Sequence, residues 1–226
     1  SDLDGAEAND YQGQSVSLSS DGTTLAVGAY GNVNNKGTVR IYTYNGSSWS
    51  QQGSDLDGAN DYQGYSVSLS SDGTTLAVGA YGHDGSKGTV RIYTYSGGSW
   101  SQQGIDLDGG DGDGQGVSVS LSSDGTTLAV GAYAHDSGKG TVRIYNYNGT
   151  AWSQQGSDLD GAAANDYQGA SVSLSSDGTT LAVGAYYHDS GKGTVRVYNL
   201  VNDSPSAVAK SQTVTVEEQK TITITL

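Results

Sequence analysis

The sequence lacks several residue types, and each absence excludes a way of stabilising the chain. Its 226 residues contain no Cys, no Met, no Phe and a single Pro. Without Cys the chain can form no disulfide, so packing or bound metal ions must stabilise it. No stretch reaches the roughly 18 consecutive apolar residues that a membrane-spanning helix needs, and we expect no membrane insertion.

Positive charge is also scarce. The chain has 10 Lys and Arg against 24 Asp and Glu, which gives a net charge of −14 and a pI near 4.2. Such a chain repels a phosphate backbone, so nucleic acid is excluded as a partner. An acidic surface rich in Ser, Thr, Gly and Asn favours a secreted or cell-surface protein.

The most informative feature is an internal repeat. The segment SVSLSSDGTTLAVGAY begins at Ser15 and recurs at Ser66, Ser118 and Ser171, after 51, 52 and 53 residues. Each copy continues to KGTVRIY or KGTVRVY, and the first three then reach a Trp within the run WSQQG. This period predicts repeats at 1–53, 54–104, 105–156 and 157–200, the last without its outer strand.

Each repeat divides into four extended runs. In the first repeat they are residues 15–19, 24–29, 38–44 and 49–52, and the Asp21-Gly22 turn joins the first two. Small Ser, Ala and Gly residues lie opposite the apolar ones, so a second sheet can approach closely. We therefore predict an all-β fold, a β-propeller-like array of four four-stranded blades. A β-solenoid is the competing architecture, although its rungs are usually shorter.

Two short elements resemble a known family. Each repeat carries Tyr-Gln-Gly or Gly-Gln-Gly, as at residues 11–13, followed by Val-Gly-Ala-Tyr, as at residues 27–30. Over residues 1 to about 200 this resembles the FG-GAP repeat of integrin α-subunit propellers and bacterial surface proteins, with Gln for Phe and Tyr for Pro. Such propellers usually have seven blades. Four repeats leave three alternatives open: closure alone, pairing of two chains, or a longer array.

Acidic residues recur in every repeat. An Asp-Leu-Asp-Gly element is followed by a third Asp after 6, 4, 5 or 6 residues, and alternating carboxylates suit Ca²⁺. The calcium loop of the resembled family lies between the first two strands, where this chain has only Ser-Ser-Asp-Gly. The alternative is that these Asp residues cap turns. The candidate Ca²⁺ ligands are Asp2, Asp4, Asp10, Asp55, Asp57, Asp61, Asp106, Asp108, Asp113, Asp158, Asp160 and Asp166.

Three other residue types recur at fixed positions. We interpret one set as solvated loop histidines, with a transition-metal site as the alternative: His83, His135 and His188. Mid-strand arginines are expected to bond neighbouring loops: Arg40, Arg91, Arg143 and Arg196. The tryptophans either stack on glycans or anchor the outer strands: Trp49, Trp100 and Trp152.

The composition changes after residue 200. Residues 201–210 contain the only Pro and are predicted to be a linker, and residues 211–226 alternate like β-strands. This segment resembles the start of a bacterial cadherin-like or Ig-like domain. We predict that it pairs with another domain or subunit, with the incomplete fourth blade as a further option. The residues expected to mediate this assembly are Thr213, Val214, Val216, Ile222, Ile224 and Leu226.

No spacing of Ser, Asp and His suggests a catalytic triad, and we expect no enzyme. The sequence favours an extracellular bacterial adhesion or structural module acting through protein or glycan interactions. One alternative is a fibre subunit that assembles with itself by donating its C-terminal strands, and another is a carbohydrate-active propeller enzyme. The expected partners are other protein chains, including a second copy, and glycans.

Overall fold

The computed structural model describes residues 2–200 and 212–214. These residues form four antiparallel sheets, each built around one copy of the repeated segment. The predicted all-β, propeller-like architecture is confirmed. The predicted linker and most of the tail lie outside the described residues. No helix within the described ranges is long and apolar enough to cross a membrane.

The first three sheets share one arrangement of three long and two short strands. The first sheet contains β1 (Ser15–Leu18), β2 (Thr24–Ala29), β3 (Thr38–Tyr44), β4 (Trp49–Gln51) and β5 (Leu56–Asp57). The second contains β6 (Ser66–Leu69), β7 (Thr75–Ala80), β8 (Thr89–Ser96), β9 (Ser99–Gln102) and β10 (Leu107–Asp108). The third contains β11 (Gln115–Leu121), β12 (Thr127–Ala132), β13 (Thr141–Tyr147), β14 (Trp152–Gln154) and β15 (Leu159–Asp160).

The fourth sheet has four strands, namely β16 (Gln168–Leu174), β17 (Thr180–Ala185), β18 (Thr194–Asn199) and β19 (Gln212–Val214). One helical turn follows the second strand of each sheet. These turns are α1 (Asn32–Asn35), α2 (His83–Ser86), α3 (His135–Gly138) and α4 (His188–Gly191). Asp84 and Gly85 within α2 have left-handed backbone conformations. The segment is therefore a tight loop and not a regular helix.

The Asp-Gly turn between the first two strands forms as predicted. Asp21 accepts hydrogen bonds from the Ser19 hydroxyl at 2.6 Å and the Thr23 backbone N–H at 2.9 Å, while Gly22 takes a φ of 71°. The hydrogen bonds from Ser19 and Thr23 hold the pKa of Asp21 below its ordinary value of 3.8. Each repeat builds the same turn from the same residues, which explains why this stretch is invariant among the copies.

The outer edge of each of the first three sheets differs from the predicted single fourth strand. Two short strands share this edge, because β4 pairs with one end of β3 (Tyr44 opposite Trp49) and β5 with the other (Val39 opposite Leu56). The Leu-Asp strand β5 belongs to the second sequence repeat. Each of the first three sheets is therefore completed by residues of the following repeat, and the sheets are offset from the sequence repeats.

The fourth sheet receives its outer strand from the tail. Strand β19 pairs with β18, and Val214 lies opposite Val195, the register that Leu56 holds against Val39 in the first sheet. The tail was predicted to pair with another domain or subunit, with the incomplete fourth blade as a further option, and its described part pairs with that blade. The predicted assembly residues Val216, Ile222, Ile224 and Leu226 lie outside the described residues.

Successive sheets pack face to face. The cluster between the first and second sheets joins Ala26, Val39 and Ile41 to Leu76 and Val78, all of them buried. Equivalent clusters join the second sheet to the third and the third to the fourth. Burying each such Val, Leu or Ile side chain contributes about 1.5–3 kcal/mol, so the blades stabilise one another.

Small residues allow this packing. A Cβ at Gly28 would lie 2.0 Å from the Gly64 carbonyl oxygen of the next sheet, so only Gly fits there. The Ser15 hydroxyl donates to the same oxygen at 2.8 Å, and Ser66 and Ser118 repeat the contact in the next two sheets. The Val-Gly-Ala and Gln-Gly elements are thus the two halves of one contact between blades.

Candidate functional site

A polar cluster recurs beside the contact between the Val-Gly-Ala and Gln-Gly elements. In the second repeat, the buried Gln63 side chain donates to the Leu56 carbonyl at 2.7 Å and accepts from Arg91 at 2.7 Å. Arg91 also donates from Nε to Asp106 at 2.9 Å, and Asp106 belongs to the third repeat. The Gln that replaces the family's Phe therefore links an edge carbonyl to an arginine that bonds the following repeat.

The same bonds occur in the other repeats. The Gln side chain bonds a Leu carbonyl and an Arg in each of them, as in the sets Gln12, Leu3, Arg40; Gln115, Leu107, Arg143; and Gln168, Leu159, Arg196. The first two of these arginines also bond the next repeat, through Asp55 and Asp158. The expectation that the mid-strand arginines bond neighbouring loops is met at these positions.

The third Asp of the predicted calcium set lies inside this cluster. Asp113 is buried and accepts from Arg143 at 3.0 Å and from the Gly110 N–H at 2.9 Å, and it lies 2.8 Å from His135 Nδ1. Burial alone raises the pKa of Asp113, but the bonds to His135, Gly110 and Arg143 outweigh it and hold the pKa below 3.8. Asp61 and Asp166 are also buried and paired with Arg and His, and Asp10 caps the N–H groups of its own loop.

The first two Asp residues of the third and fourth Asp-Leu-Asp-Gly elements come together with the histidine of the preceding repeat. Within the described residues, two groups have one potential metal-binding atom per side chain, all within 4.8 Å of one another. They are His83 with Asp106 and Asp108, and His135 with Asp158 and Asp160. Neither contains the third Asp, so the three carboxylates of one repeat do not form the predicted set. These histidines were interpreted as solvated, whereas each contacts at least one carboxylate.

Tyrosines form a second repeated feature, which we call the tyrosine strip. Pairs within a repeat stack at 5.1–5.3 Å, namely Tyr11 with Tyr30, Tyr62 with Tyr81 and Tyr167 with Tyr186. Ring contacts of 5.6–6.2 Å join successive repeats, namely those of Tyr30 with Tyr62 and Tyr65 and of Tyr133 with Tyr167. Tyr65 and Tyr187 make further ring contacts within their own repeats, with Tyr81 and Tyr167. All of these rings are half-buried or exposed.

The third repeat interrupts the strip. Gly114 replaces the first tyrosine there, and a Cβ on it would lie 2.9 Å from the Tyr133 ring. Across this interruption, Tyr81 of the second repeat still interacts electrostatically with Tyr133 of the third. Burial raises the pKa of Tyr81, and the charges of Tyr62, Tyr65 and Tyr133 raise it further. The recurrence of Tyr at two fixed positions is the sequence signal that could have predicted this strip.

The tryptophans lie elsewhere. Trp100 is 9% exposed within the cluster between the first two sheets, too little for a sugar ring to stack on it. Trp152 is half-buried and donates from Nε1 to Gln103 at 3.1 Å, and Trp49 packs on Tyr44 at 5.3 Å between ring centroids. For Trp100 the glycan-stacking prediction is wrong, because the preceding blade covers the ring. Anchoring of the outer strand accounts for these contacts.

Packed antiparallel blades and their repeated polar links define a propeller-like repeat protein. The FG-GAP repeat family model matches residues 3–42, which contain the first copies of both family elements, and these elements recur in the other three repeats. Residues 3–42 are therefore similar to an FG-GAP repeat, and the other three repeats of this chain share the same two elements. No curated protein sequence matches it. The resemblance of the tail to cadherin-like or Ig-like domains stays a prediction.

Solved structures share the fold. A candidate 6-phosphogluconolactonase from Bacteroides uniformis aligns with a TM-score of 0.63 and 14% identity over 90% of this chain and 55% of its own. Hydrazine synthase from Kuenenia stuttgartiensis gives 0.59 and 14% over 88% and 49%. TolB from Acinetobacter baumannii gives 0.52 and 12% over 89% and 43%. The chain spans about half the length of these proteins, and such low identities indicate the fold alone.

Proposed function

We propose that this propeller-like module mediates extracellular bacterial adhesion or structure by binding proteins or glycans through the tyrosine strip. The observation that carries the proposal is the backbone conformation of the first strip tyrosine in the first, second and fourth repeats. Tyr11, Tyr62 and Tyr167 have φ values of 52°, 60° and 54°, in the left-handed region that disfavours large side chains. Gly114 takes a φ of 63° at the same position in the third repeat, so Gly is compatible with this fold.

Retaining Tyr in that conformation costs roughly 1–2 kcal/mol at each position. The rings only partly repay this by stacking on one another, since an aromatic pair contributes about 0.5–1.5 kcal/mol. Strain that persists where Gly is tolerated is typical of binding surfaces. Aromatic faces suit the apolar faces of sugars and of protein side chains. The net charge of −14 favours neutral or cationic partners over polyanions.

The test is binding of the purified chain to an array of neutral and acidic oligosaccharides and to immobilised extracellular matrix proteins. The variant Tyr62→Gly removes one ring and relieves its backbone strain. We expect an unchanged or higher melting temperature and a loss of affinity of about tenfold, equivalent to 1.4 kcal/mol. Tyr44→Ala is the control, since Tyr44 packs on Trp49 outside the strip. Equal binding by wild type and Tyr62→Gly would contradict the proposal.

A second candidate function is self-assembly, and a groove at the end of the fourth sheet favours it. This groove has a volume of about 370 Å³ and is lined by Ser171, Gly184, Thr194 and Val195 among others. Their equivalents in the first sheet contact Gly64 of the following repeat. The groove therefore matches the surface that receives a Gln-Gly turn, and the turn at Gln12 and Gly13 of a second copy has the same sequence.

The first sheet presents the complementary face. Val16 is 63% exposed, whereas its equivalent Val67 in the second sheet is 9% exposed because the first sheet covers it. Donation of the C-terminal strands between copies would use the pairing that β19 makes with β18. Sedimentation of the chain over a range of concentrations tests association. Val16→Arg should abolish it, Ile105→Arg on an exposed loop should not, and a strictly monomeric wild type would refute it.

A non-catalytic role is part of the main proposal. The carboxylates Asp61 and Asp106 are joined to the same guanidinium of Arg91, and this arrangement is repeated in the third repeat. A glycosidase instead needs an asymmetric pair, one carboxylic acid and one free carboxylate. No turnover of the array's oligosaccharides is expected, which product analysis of bound glycans checks.

A further inference from the structure

We propose that His83 with Asp106 and Asp108, and His135 with Asp158 and Asp160, are two equivalent Zn²⁺ sites between adjacent repeats. Each set combines one imidazole with two carboxylates within 4.8 Å of one another. Two ligands that are each about 2.1 Å from one ion lie at most about 4.2 Å apart, so closure requires movements of only about an ångström. Asp108 and Asp160 are exposed and can turn toward the ion.

Two buried hydroxyls point independently to a ligand. In the first sheet, Thr38 lies opposite Asp57 and donates to its carboxylate at 2.8 Å. Thr89 and Thr141 lie opposite Asp108 and Asp160 in the same register, and both are 0% exposed, but their hydroxyls have no hydrogen-bond partner among the described residues.

The difference coincides with the histidine. The first repeat has Asn32 in place of His83, and there the carboxylate stays with its threonine. Where the histidine is present, the carboxylate belongs to the cluster and the hydroxyl loses its acceptor. A buried hydroxyl without a partner costs roughly 1–3 kcal/mol. A metal-bound water beside the carboxylate would provide a partner, because it can donate a hydrogen bond to the threonine hydroxyl oxygen.

The surroundings of each site suit a metal-binding imidazole. His135 Nδ1 lies 2.8 Å from the buried Asp113 carboxylate and His83 Nδ1 lies 3.3 Å from Asp61. A carboxylate behind the imidazole fixes the orientation of its ring, as is common for metal-ligating histidines. The imidazole also decides the kind of ion, because Ca²⁺ prefers oxygen ligands alone, whereas Zn²⁺ accepts nitrogen and oxygen.

Neighbouring cationic side chains predict which of the two sites has the higher affinity for Zn²⁺. Arg91 donates to Asp106 at 2.9 Å and Gln102 donates to its other oxygen at 2.7 Å, but each oxygen keeps a free lone pair. The third repeat has the same arginine contact and, in addition, Lys139 Nζ at 3.9 Å from Asp160. We expect the His83 site to bind Zn²⁺ more tightly, because a second cation competes at the other site.

Isothermal titration of the chelator-treated chain with ZnCl₂, in the presence of millimolar Ca²⁺, tests the proposal, and Co²⁺ absorption reports nitrogen ligation. We expect two ions per chain, one for His83→Ala or His135→Ala, and none for the double variant. His188→Ala is the matched control, because no Asp-Leu-Asp-Gly element follows His188. Thermal melting without metal confirms that each variant folds.

A variant that should gain a Zn²⁺ site provides an independent test of the proposal. Asn32→His places an imidazole at the equivalent position before Asp55 and Asp57, and we expect a third bound ion. Failure of wild type to bind Zn²⁺ at micromolar concentrations would overturn the proposal. So would retention of both ions by the double variant, which would identify adventitious binding to surface carboxylates. If Asn32→His does not fold, the His→Ala series still decides.

Discussion

Replacing Gln63 with Leu removes both hydrogen bonds of this buried amide while nearly preserving its volume. The Leu56 carbonyl loses a donor at 2.7 Å, and the Arg91 guanidinium loses an acceptor at 2.7 Å. A neutral hydrogen bond contributes about 1 kcal/mol and one to a charged group about 1.5–3 kcal/mol. The free energy of unfolding should therefore fall by about 2.5–4 kcal/mol.

Urea unfolding followed by tryptophan fluorescence measures this loss, since Trp100 is buried between the first two sheets. Gln12→Leu is the matched control. Gln12 makes the same two bonds in the first repeat but is half-buried, so water can replace them and the loss should be under about 1.5 kcal/mol. Equal losses for the two variants, or a loss below 1 kcal/mol for Gln63→Leu, would refute the reasoning.

Three further predictions concern stability. Leu69→Ala should cost about 2–5 kcal/mol in urea unfolding, whereas Leu18→Ala, the exposed equivalent in the first sheet, should cost under about 1 kcal/mol. Gly79→Ala should unfold the chain or strongly lower its melting temperature, because the new Cβ would lie 2.0 Å from a backbone oxygen of the third sheet; Gly184→Ala, which meets only a hydroxyl that can rotate, should be tolerated. Hydrogen bonds from Ser70 and Thr74 outweigh burial, which alone raises the pKa of Asp72, and hold that pKa below 3.8. This stabilisation is complete above pH 3.8 and is lost as the pH falls through the folded-state pKa. Asp72→Asn should therefore make the melting temperature depend less on pH between pH 4 and pH 2.

Local patterns were sufficient for much of the fold. Alternation of apolar and small residues predicted β1, β2 and β3, and the Asp21-Gly22 pair predicted their first turn, because these signals lie within a few residues. The outer edge was not predicted. The two-residue strand β5 is too short to show alternation, and its pairing with β3 crosses the boundary between two repeats.

The candidate site was harder to predict for the same reason. Sequence spacing suggested that Asp55, Asp57 and Asp61 would converge on one ion. Asp61 is buried, however, and a buried carboxylate needs a partner, which it finds in Arg91, 30 residues away. Contacts between side chains that are far apart in the sequence depend on how the sheets stack, and no local pattern encodes that stacking.

The completion of the first three sheets by the repeat that follows each of them also bears on how such a chain can grow. A duplicated unit inserted between two existing ones supplies the edge strand for its predecessor and accepts one from its successor. Gene duplication can therefore lengthen or shorten the array without a new interface having to evolve, because every junction already has the same chemistry. The near-identity of the four copies is the sequence record that recent duplication of this kind would leave.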